Sequence, residues 1–291
     1  QISGQTPRHR IDNYQESLLL KIEEVYQTAL DVQADCVICG GDFFNSHRIF
    51  SYDLLSNVMN LICSFPLKTY MIVGQHDLIG YNPASFKTSA LGFVAGQCPQ
   101  LNILWEPAIV KGVTISASHV WEKLQDADKV FNKDTANILV AHHLLTNKKT
   151  LFDSINTTDF SNWMKEKNVR FDLVLSGDLH DGYDLHEANG TWFCNPGSLA
   201  RQSIADLGRP PRMAIIELEP GSLPLVEIVP IKAAKRGSEV FGDDLPGLLK
   251  KENFDATQFV ERVNDFESES TDIFELVKRI ASAEKVSQEV V

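Results

Sequence analysis

Four apolar, β-branched runs in this chain stop at a small residue and pass at once into Asp, His or amide side chains. Cys36-Val37-Ile38-Cys39 leads into Gly40-Gly41-Asp42, and Tyr70-Met71-Ile72-Val73 leads into Gly74-Gln75-His76-Asp77. Ile138-Leu139-Val140 leads through Ala141 to His142-His143, and Leu173-Val174-Leu175 leads into Gly177-Asp178-Leu179-His180. Short, continuous apolar runs bounded by breakers read as buried strands. In an open α/β sheet ligands bind just beyond the carboxyl ends of strands, so four such endings predict one shared site.

The donor types at those endings narrow its chemistry. Carboxylate, imidazole and amide oxygen suit a pair of Mn²⁺, Fe²⁺ or Zn²⁺ ions, with Mg²⁺ also compatible, whereas a structural zinc would normally bring thiolates. No cysteine lies in the four ligand blocks. Two cations about 3.5 to 4 Å apart are the usual clamp for in-line displacement at phosphorus. The expected chemistry is therefore phosphoester hydrolysis, with Mn²⁺ as the favoured metal.

Gly40-Gly41-Asp42, then Gly74-Gln75-His76-Asp77, then a His after a strand, then Gly177-Asp178-Leu179-His180 together resemble the motif order of the calcineurin-like metallophosphoesterases. The resemblance spans most of residues 1–232. Within that superfamily the chain looks most like the SbcD-type nuclease subunits of DNA double-strand-break repair, which work with a coiled-coil, SMC-like ATPase. Three details favour that branch: Phe43-Phe44 after Gly40-Gly41-Asp42, the opening Thr6-Pro7-Arg8-His9-Arg10-Ile11-Asp12, and Asn195-Pro196-Gly197-Ser198-Leu199-Ala200-Arg201. Position by position, the resemblance implies that Asp42 bridges two metals and that Gln75, His142, Asp178 and His180 complete their ligands. It implies that His76 contacts the phosphate and protonates the leaving oxygen, and that Asp77 orients the His76 imidazole.

Three positions depart from the family pattern. Gln75 stands where the family has Asn, and Asp178 stands where it has the first His of Gly-His-x-His. The family also begins with a strand ending Asp-x-His; aligned to it, Gln1 falls on the His position, and the Asp is expected on a strand upstream. Arg8 and Arg10, before the first helix, and Arg201, after the Asn195-Pro196-Gly197 turn, are expected to meet substrate backbone, with solvated surface as the plain alternative. Lys148 and Lys149 form a third basic cluster.

With 291 residues, 43% of them hydrophobic, the chain can bury a substantial core. Its net charge of −12 argues mildly against nucleic acid unless local patches override it. The absence of any long apolar run excludes a membrane span, and five scattered cysteines suggest a reducing cytoplasm, or host cytoplasm for a phage protein. Cys36 and Cys39, three apart on a strand, face opposite sides and cannot chelate together.

Hydrophobic spacing predicts helices over 13–32, 52–64, 121–131 and 158–167. Strands are expected over 35–39, 69–73, 102–105, 108–117, 137–141, 171–175, 190–194, 212–218 and 225–231. Early strand–helix alternation and later hairpins imply an α/β fold: two packed mixed β-sheets flanked by helices, with a small helical appendage. Residues 1–231 are expected to be the catalytic domain, 232–256 a linker, and 257–291 a helical segment. The resemblance implies that this last segment docks on the coiled-coil ATPase, and that the chain can form a homodimer; packing on its own domain is the alternative for the helices. Three functions follow: a metal-dependent DNA nuclease, a phosphatase or phosphodiesterase acting on a small phosphoester, and a binding subunit with a weakened metal site.

Overall fold

The chain was analysed as a computed structural model that describes residues 1–146, 157–167 and 169–241. Helix α1 (Tyr14–Asp31) starts where Asn13 accepts a hydrogen bond from the Glu16 N–H, and its buried stripe holds Tyr14, Leu18, Ile22 and Tyr26. It leads to β1 (Cys36–Cys39), α2 (Tyr52–Ser64), β2 (Lys68–Met71), α3 (Ala90–Gln97) and β3 (Leu101–Ile103). Strands β4 (Ala108–Val110), β5 (Val113–Ser118), β6 (Ala136–Ala141), β7 (Leu145–Thr146) and β8 (Thr158–Asp159) follow, then α4 (Phe160–Lys165). The described part ends with β9 (Leu173–Ser176), β10 (Tyr183–Ala188), β11 (Thr191–Asn195), β12 (Arg212–Glu217), β13 (Leu225–Pro230) and α5 (Gly237–Phe241).

These strands form a three-stranded sheet, β1-β2-β3, and a six-stranded sheet, β10-β11-β9-β6-β5-β4, with small β12-β13 and β7-β8 pairs. Period-two alternation explains why they stack in layers. Tyr70 and Ile72 face the second sheet and pack with Ile138, Val140, Leu173 and Leu175, whereas Met71 and Val73 face the α1, α2 and α3 side. Across the second sheet, Leu139, Ala141 and Val174 turn the other way, onto Phe160, Trp163 and Met164. Each sheet is thus buried on both faces, which is why its strands read as unbroken apolar runs rather than alternating ones. The expected mixed α/β architecture of two packed sheets flanked by helices is the observed one.

β1, β2 and β3 pair in parallel, as do β5, β6 and β9. The ligand-bearing loops of each sheet therefore leave from one end. A cavity of about 630 Å³ runs between β1 and β12 and reaches Asp42, His142, Asp178 and His180.

Several boundaries differ from expectation. Strand β10 was not foreseen, because Tyr183-Asp184-Leu185-His186-Glu187-Ala188 carries little apolar signal; its pairing with β11 makes it a strand. Helix α3 was not foreseen either, because Gly92 and Gly96 weaken its helical pattern. The segment Leu124–Val130, expected as α-helix, is 3₁₀. Residues 232–241, expected to open a linker, are instead fastened to the domain. The Lys232 and Ala233 N–H groups donate to the Glu24 carboxylate at 2.7 and 2.6 Å, Ile11 N–H donates to Val240 O at 2.9 Å, and Val240 and Phe241 are buried. The remaining linker and the helical segment 257–291 lie outside the described residues, as do Lys148 and Lys149.

Cys36 and Cys39 do face opposite sides, Cys36 toward the core between the sheets and Cys39 toward the α1 side. Cys63 and Cys98 stand side by side, their Cα atoms 6.1 Å apart, which their scatter in the sequence did not suggest. Among the described residues, no helix is long and apolar enough to cross a membrane.

Candidate metal centre

Strands β1 and β6 bring Asp42 and His142 together from separate sheets, and β9 adds Asp178. One ligand atom from each lies within 4.8 Å of the others, and no other group of three or more His, Cys, Asp and Glu side chains does this among the described residues. The loops must pass close to allow it. A Cβ on Gly177 would sit 2.1 Å from the Gly40 carbonyl, and one on Gly74 would sit 2.1 Å from Asp42 Oδ1. Asp42 and Asp178 both hold left-handed backbone conformations, φ 51° and 69°. Non-glycine residues adopt such angles at some cost, and the tight turns here aim both carboxylates inward.

Hydrogen bonds then orient each donor. His142 Nδ1 donates to Gly40 O at 2.6 Å, which leaves its Nε2 lone pair facing Asp42 Oδ1 at 3.6 Å and Asp178 Oδ1 at 3.9 Å. Fixing the proton on one ring nitrogen so that the other can ligate is the usual arrangement of a metal-binding histidine. Gln75 Nε2 donates to Asp178 Oδ1 at 2.8 Å, which turns Oε1 the other way. Both Gln75 Oε1 and His142 Nε2 are buried with no hydrogen-bond partner. Buried acceptors are rarely left so, because each loses its hydration without replacement. The orphaned His142 lone pair, facing two carboxylates, fits a divalent cation.

Electrostatics agree. Burial pushes the Asp42 carboxyl up, but the neighbouring His142 and the His76 N–H, which donates to Oδ1 at 2.9 Å, hold it below the usual carboxylate range. Burial pushes His142 down, but Asp42, the Gly40 carbonyl and Asp178 hold it above the usual imidazole value. The cluster stabilises positive charge at its centre.

The other predicted residues divide. His76 stands at the mouth, its side chain 41% exposed, with Nε2 3.8 Å from Asp42 Oδ2. Its Nδ1 lies 3.0 Å from the Asn45 carbonyl, so Asn45 orients the ring. Asp77 does not orient it, contrary to expectation. Its buried carboxylate instead accepts the N–H groups of Gly74 at 3.0 Å and Phe44 at 3.3 Å, clamping the two loops that carry Asp42 and His76. His180 is exposed and stands outside the three-residue cluster, with its carbonyl accepting from Ser198 N–H at 2.9 Å. Gln1 Nε2 donates to Asp42 Oδ2 at 2.8 Å. His143 points to Ser118 Oγ, and His142 faces the cluster, as strand alternation predicts.

Arg10 and Arg201 are corrections. Both are buried, 6% and 3% exposed, and neither is placed to meet a polyanion. Arg10 forks onto Asp12 at 2.7 and 2.9 Å and donates to the Arg201 carbonyl at 2.6 Å, while Arg201 donates to the Lys235 carbonyl. With Lys21 and Arg209 they serve the loop after β11. Arg209 donates to the Ser198 and Ala200 carbonyls, Lys21 to Leu199 O at 2.6 Å, and Arg10 to Arg201 O, so four successive carbonyls accept from cationic side chains. Arg8 is exposed.

Sequence reasoning missed Lys21, although its position was a signal, since it interrupts the buried face of α1 between Leu18 and Ile22. His119 lies outside all four ligand blocks. That imidazole is buried, accepts the Val73 N–H at 3.1 Å through Nδ1 and faces Leu104 O at 3.0 Å through Nε2, bracing the strand end before Gly74.

The model of the calcineurin-like phosphoesterase superfamily domain matches residues 17–221, more than half of the chain and all of the ligand loops just described. The chain belongs to the calcineurin-like phosphoesterase superfamily. Asp42, His142 and Asp178 form a group able to hold a metal ion, as the phosphoester chemistry of this superfamily would require. It is 30% identical over 217 residues to the DNA double-strand break repair protein Mre11 of Haloferax volcanii. That match covers 72% of this chain but 46% of the relative, so the chain spans less than half of its length. One solved structure superposes with a TM-score of 0.48 at 12% identity, over 72% of this chain and 93% of the other.

Proposed function

We propose that this phosphoesterase is a nuclease subunit that hydrolyses DNA phosphodiester bonds with two divalent metals, Mn²⁺ being the ion its donor set favours. The observation that carries the metal chemistry is the buried, unpartnered His142 Nε2, set between Asp42 and Asp178. Cations held by these residues would supply Lewis-acid charge and an activated water. Asn45 O accepts from His76 Nδ1 and holds the ring at the open side, so that the doubly protonated ring would give its Nε2 proton to the departing sugar oxygen and keep the one on Nδ1. Asp77 keeps the two loops in register, and the Gln75 amide N–H holds the Asp178 carboxylate in place. DNA as substrate draws on the relative's name and on the motif resemblance. Exposed Arg8 is the remaining candidate for contact with the substrate backbone. A coiled-coil ATPase partner for segment 257–291 and pairing of two copies rest on the resemblance alone, and a cytoplasmic setting on the scatter of the cysteines.

A second reading, a binding subunit with a weakened centre, has two observations behind it: His180 stands outside the cluster, and Gln1 occupies Asp42 Oδ2. Mn²⁺ titration by calorimetry, joined to cleavage of labelled linear DNA, separates the two. The nuclease reading expects two bound Mn²⁺ and Mn²⁺-dependent cleavage, slowed about 10²- to 10⁴-fold in His76→Ala with metal uptake retained. Unchanged turnover in that variant would refute the role of His76. No cleavage with a single bound ion would favour the binding subunit.

A further inference from the structure

Gln202 takes no part in the metal cluster, yet its side chain reaches the residue that holds His76. Its Nε2 donates to Asn45 Oδ1 at 2.9 Å and lies 3.3 Å from the Tyr14 hydroxyl. Asn45 is thereby held at three points. Its N–H donates to Ile2 O at 2.8 Å, its side-chain oxygen accepts from Gln202, and its carbonyl faces His76 Nδ1 at 3.0 Å. Beyond Asn45 the chain runs out to exposed Arg48 and Phe50. The Gln202 amide pins the Asn45 side chain at this edge, just before the backbone leaves the packed part of the domain.

Gln202 is itself firmly placed. It directly follows the four carbonyls, 198 to 201, that accept from Arg209, Lys21 and Arg10. Its own N–H donates to Asp206 Oδ2 at 2.8 Å, and Asp206 pairs with Arg209 at 3.1 Å. Tyr14, which faces the same amide, is fully buried, gives its own proton to Gln1 O at 2.9 Å, and carries the Arg10 guanidinium 4.6 Å from its ring centroid. Burying cations is costly, and here the buried Arg10 and Lys21 fix a loop that supplies no residue to the metal cluster. What the fixed loop delivers toward the site is Gln202. We infer that Gln202 is a positioning residue for His76, acting through Asn45, and that the cations beneath residues 198–201 set its reach. The inference rests on the proposed role of His76 in hydrolysis. Without the Gln202 amide the Asn45 carbonyl is free to tilt, the proton it holds on Nδ1 redistributes over the ring, and His76 no longer meets the leaving oxygen in one orientation.

The test uses the full chain and Gln202→Met, which keeps the side chain's length and removes its amide. The first readout needs neither metal nor turnover: nitrogen-15 spectra of labelled histidines, in chelator and in alkali, where imidazoles are neutral. The parent should show His76 with its proton on Nδ1, and Gln202→Met should shift it toward the Nε2–H form that free imidazole side chains prefer. Gln202→Glu, which keeps the reach and lets the Asn45 amide turn round and donate instead, should restore the parent's tautomer. Melting temperature and Mn²⁺ uptake of Gln202→Met should match the parent's. The second readout is kinetic. In Mn²⁺, kcat on labelled DNA should fall about tenfold in Gln202→Met at unchanged KM, less than removal of His76 itself costs. The loss should vanish in a His76→Ala background, because the two residues act as one unit. It should also shrink on bis(p-nitrophenyl) phosphate, whose nitrophenolate departs without a proton. An unmoved tautomer, or equal fold losses with and without His76, overturns the inference. A parent chain that hydrolyses neither substrate in Mn²⁺ would instead sink the hydrolytic reading, and the nitrogen spectra would still decide whether Gln202 holds the ring.

Discussion

Replacing Lys21 by methionine should stabilise the protein in mild acid and weaken it in alkali. The Lys21 side chain has no solvent exposure and donates to Leu199 O at 2.6 Å. Burial, reinforced by the positive charges of Arg10 and Arg201, brings its pKa from 10.5 down to about 7. At 1.36 kcal/mol per unit, a fall of about 3.5 units means that holding the ammonium charged inside costs about 5 kcal/mol. The folded pKa lies below the unfolded one, so between pH 7 and pH 10.5 the unfolded chain binds more protons and stability rises with pH. The cost is fully present below pH 7 and has fallen under about 1 kcal/mol by pH 10. Methionine keeps most of the stem and abolishes the charge, but leaves the Leu199 carbonyl without its donor, a loss of about 1 to 3 kcal/mol. At pH 6 the variant should therefore gain about 2 to 4 kcal/mol, and at pH 10 lose up to about 2. Urea unfolding in chelator at both pH values measures the difference. The same change at both, or destabilisation at pH 6, would show that Lys21 is not a charge held against its solvation preference.

Two further substitutions probe the centre. Gly74→Ala places a Cβ 2.1 Å from Asp42 Oδ1 and 2.6 Å from Asp42 N, and backbone cannot yield as a flexible side chain does. Mn²⁺ affinity by calorimetry should fall at least about tenfold, consistent with 1.4 kcal/mol or more of lost ligand geometry; an unchanged affinity would mean that the loop has room the structure does not show. Asp77→Ala leaves the Gly74 and Phe44 N–H groups without their acceptor and should lower stability by about 1 to 3 kcal/mol in urea. Its turnover should also fall, because Asn45 is no longer held beneath His76; a variant with full stability and rate would remove the clamp from the account.

Much of the fold was legible because it follows from local chemistry. Strands buried on both faces must be apolar throughout, so β1, β2, β6 and β9 announced themselves, and the polar residues at their ends could only be ligands or turns. The Asn13 cap and the apolar stripe of α1 were equally local. What was hidden depended on residues far apart in the chain. Strand β10 exists because β11 offers it an edge, and α5 exists in place because Phe241 and Val240 find a surface near Ile11. Residue type could not separate a solvated arginine from a buried one: Arg10 and Arg201 became structural when the carbonyls of 198–201 needed donors. The family resemblance likewise implied that Asp77 orients His76, whereas the turn at 75–77 sends the two side chains apart, toward Gly74 and Asn45.

The sequence by itself determined which residues could ligate a cation, because hard donors after apolar strands have few other uses. Only the tertiary structure decided which of them meet, because Asp42, His142 and Asp178 come from two different sheets and converge where glycines let the loops touch. It also decided what serves beneath them, since the partner of a buried polar group is set by three-dimensional neighbours and not by chain order.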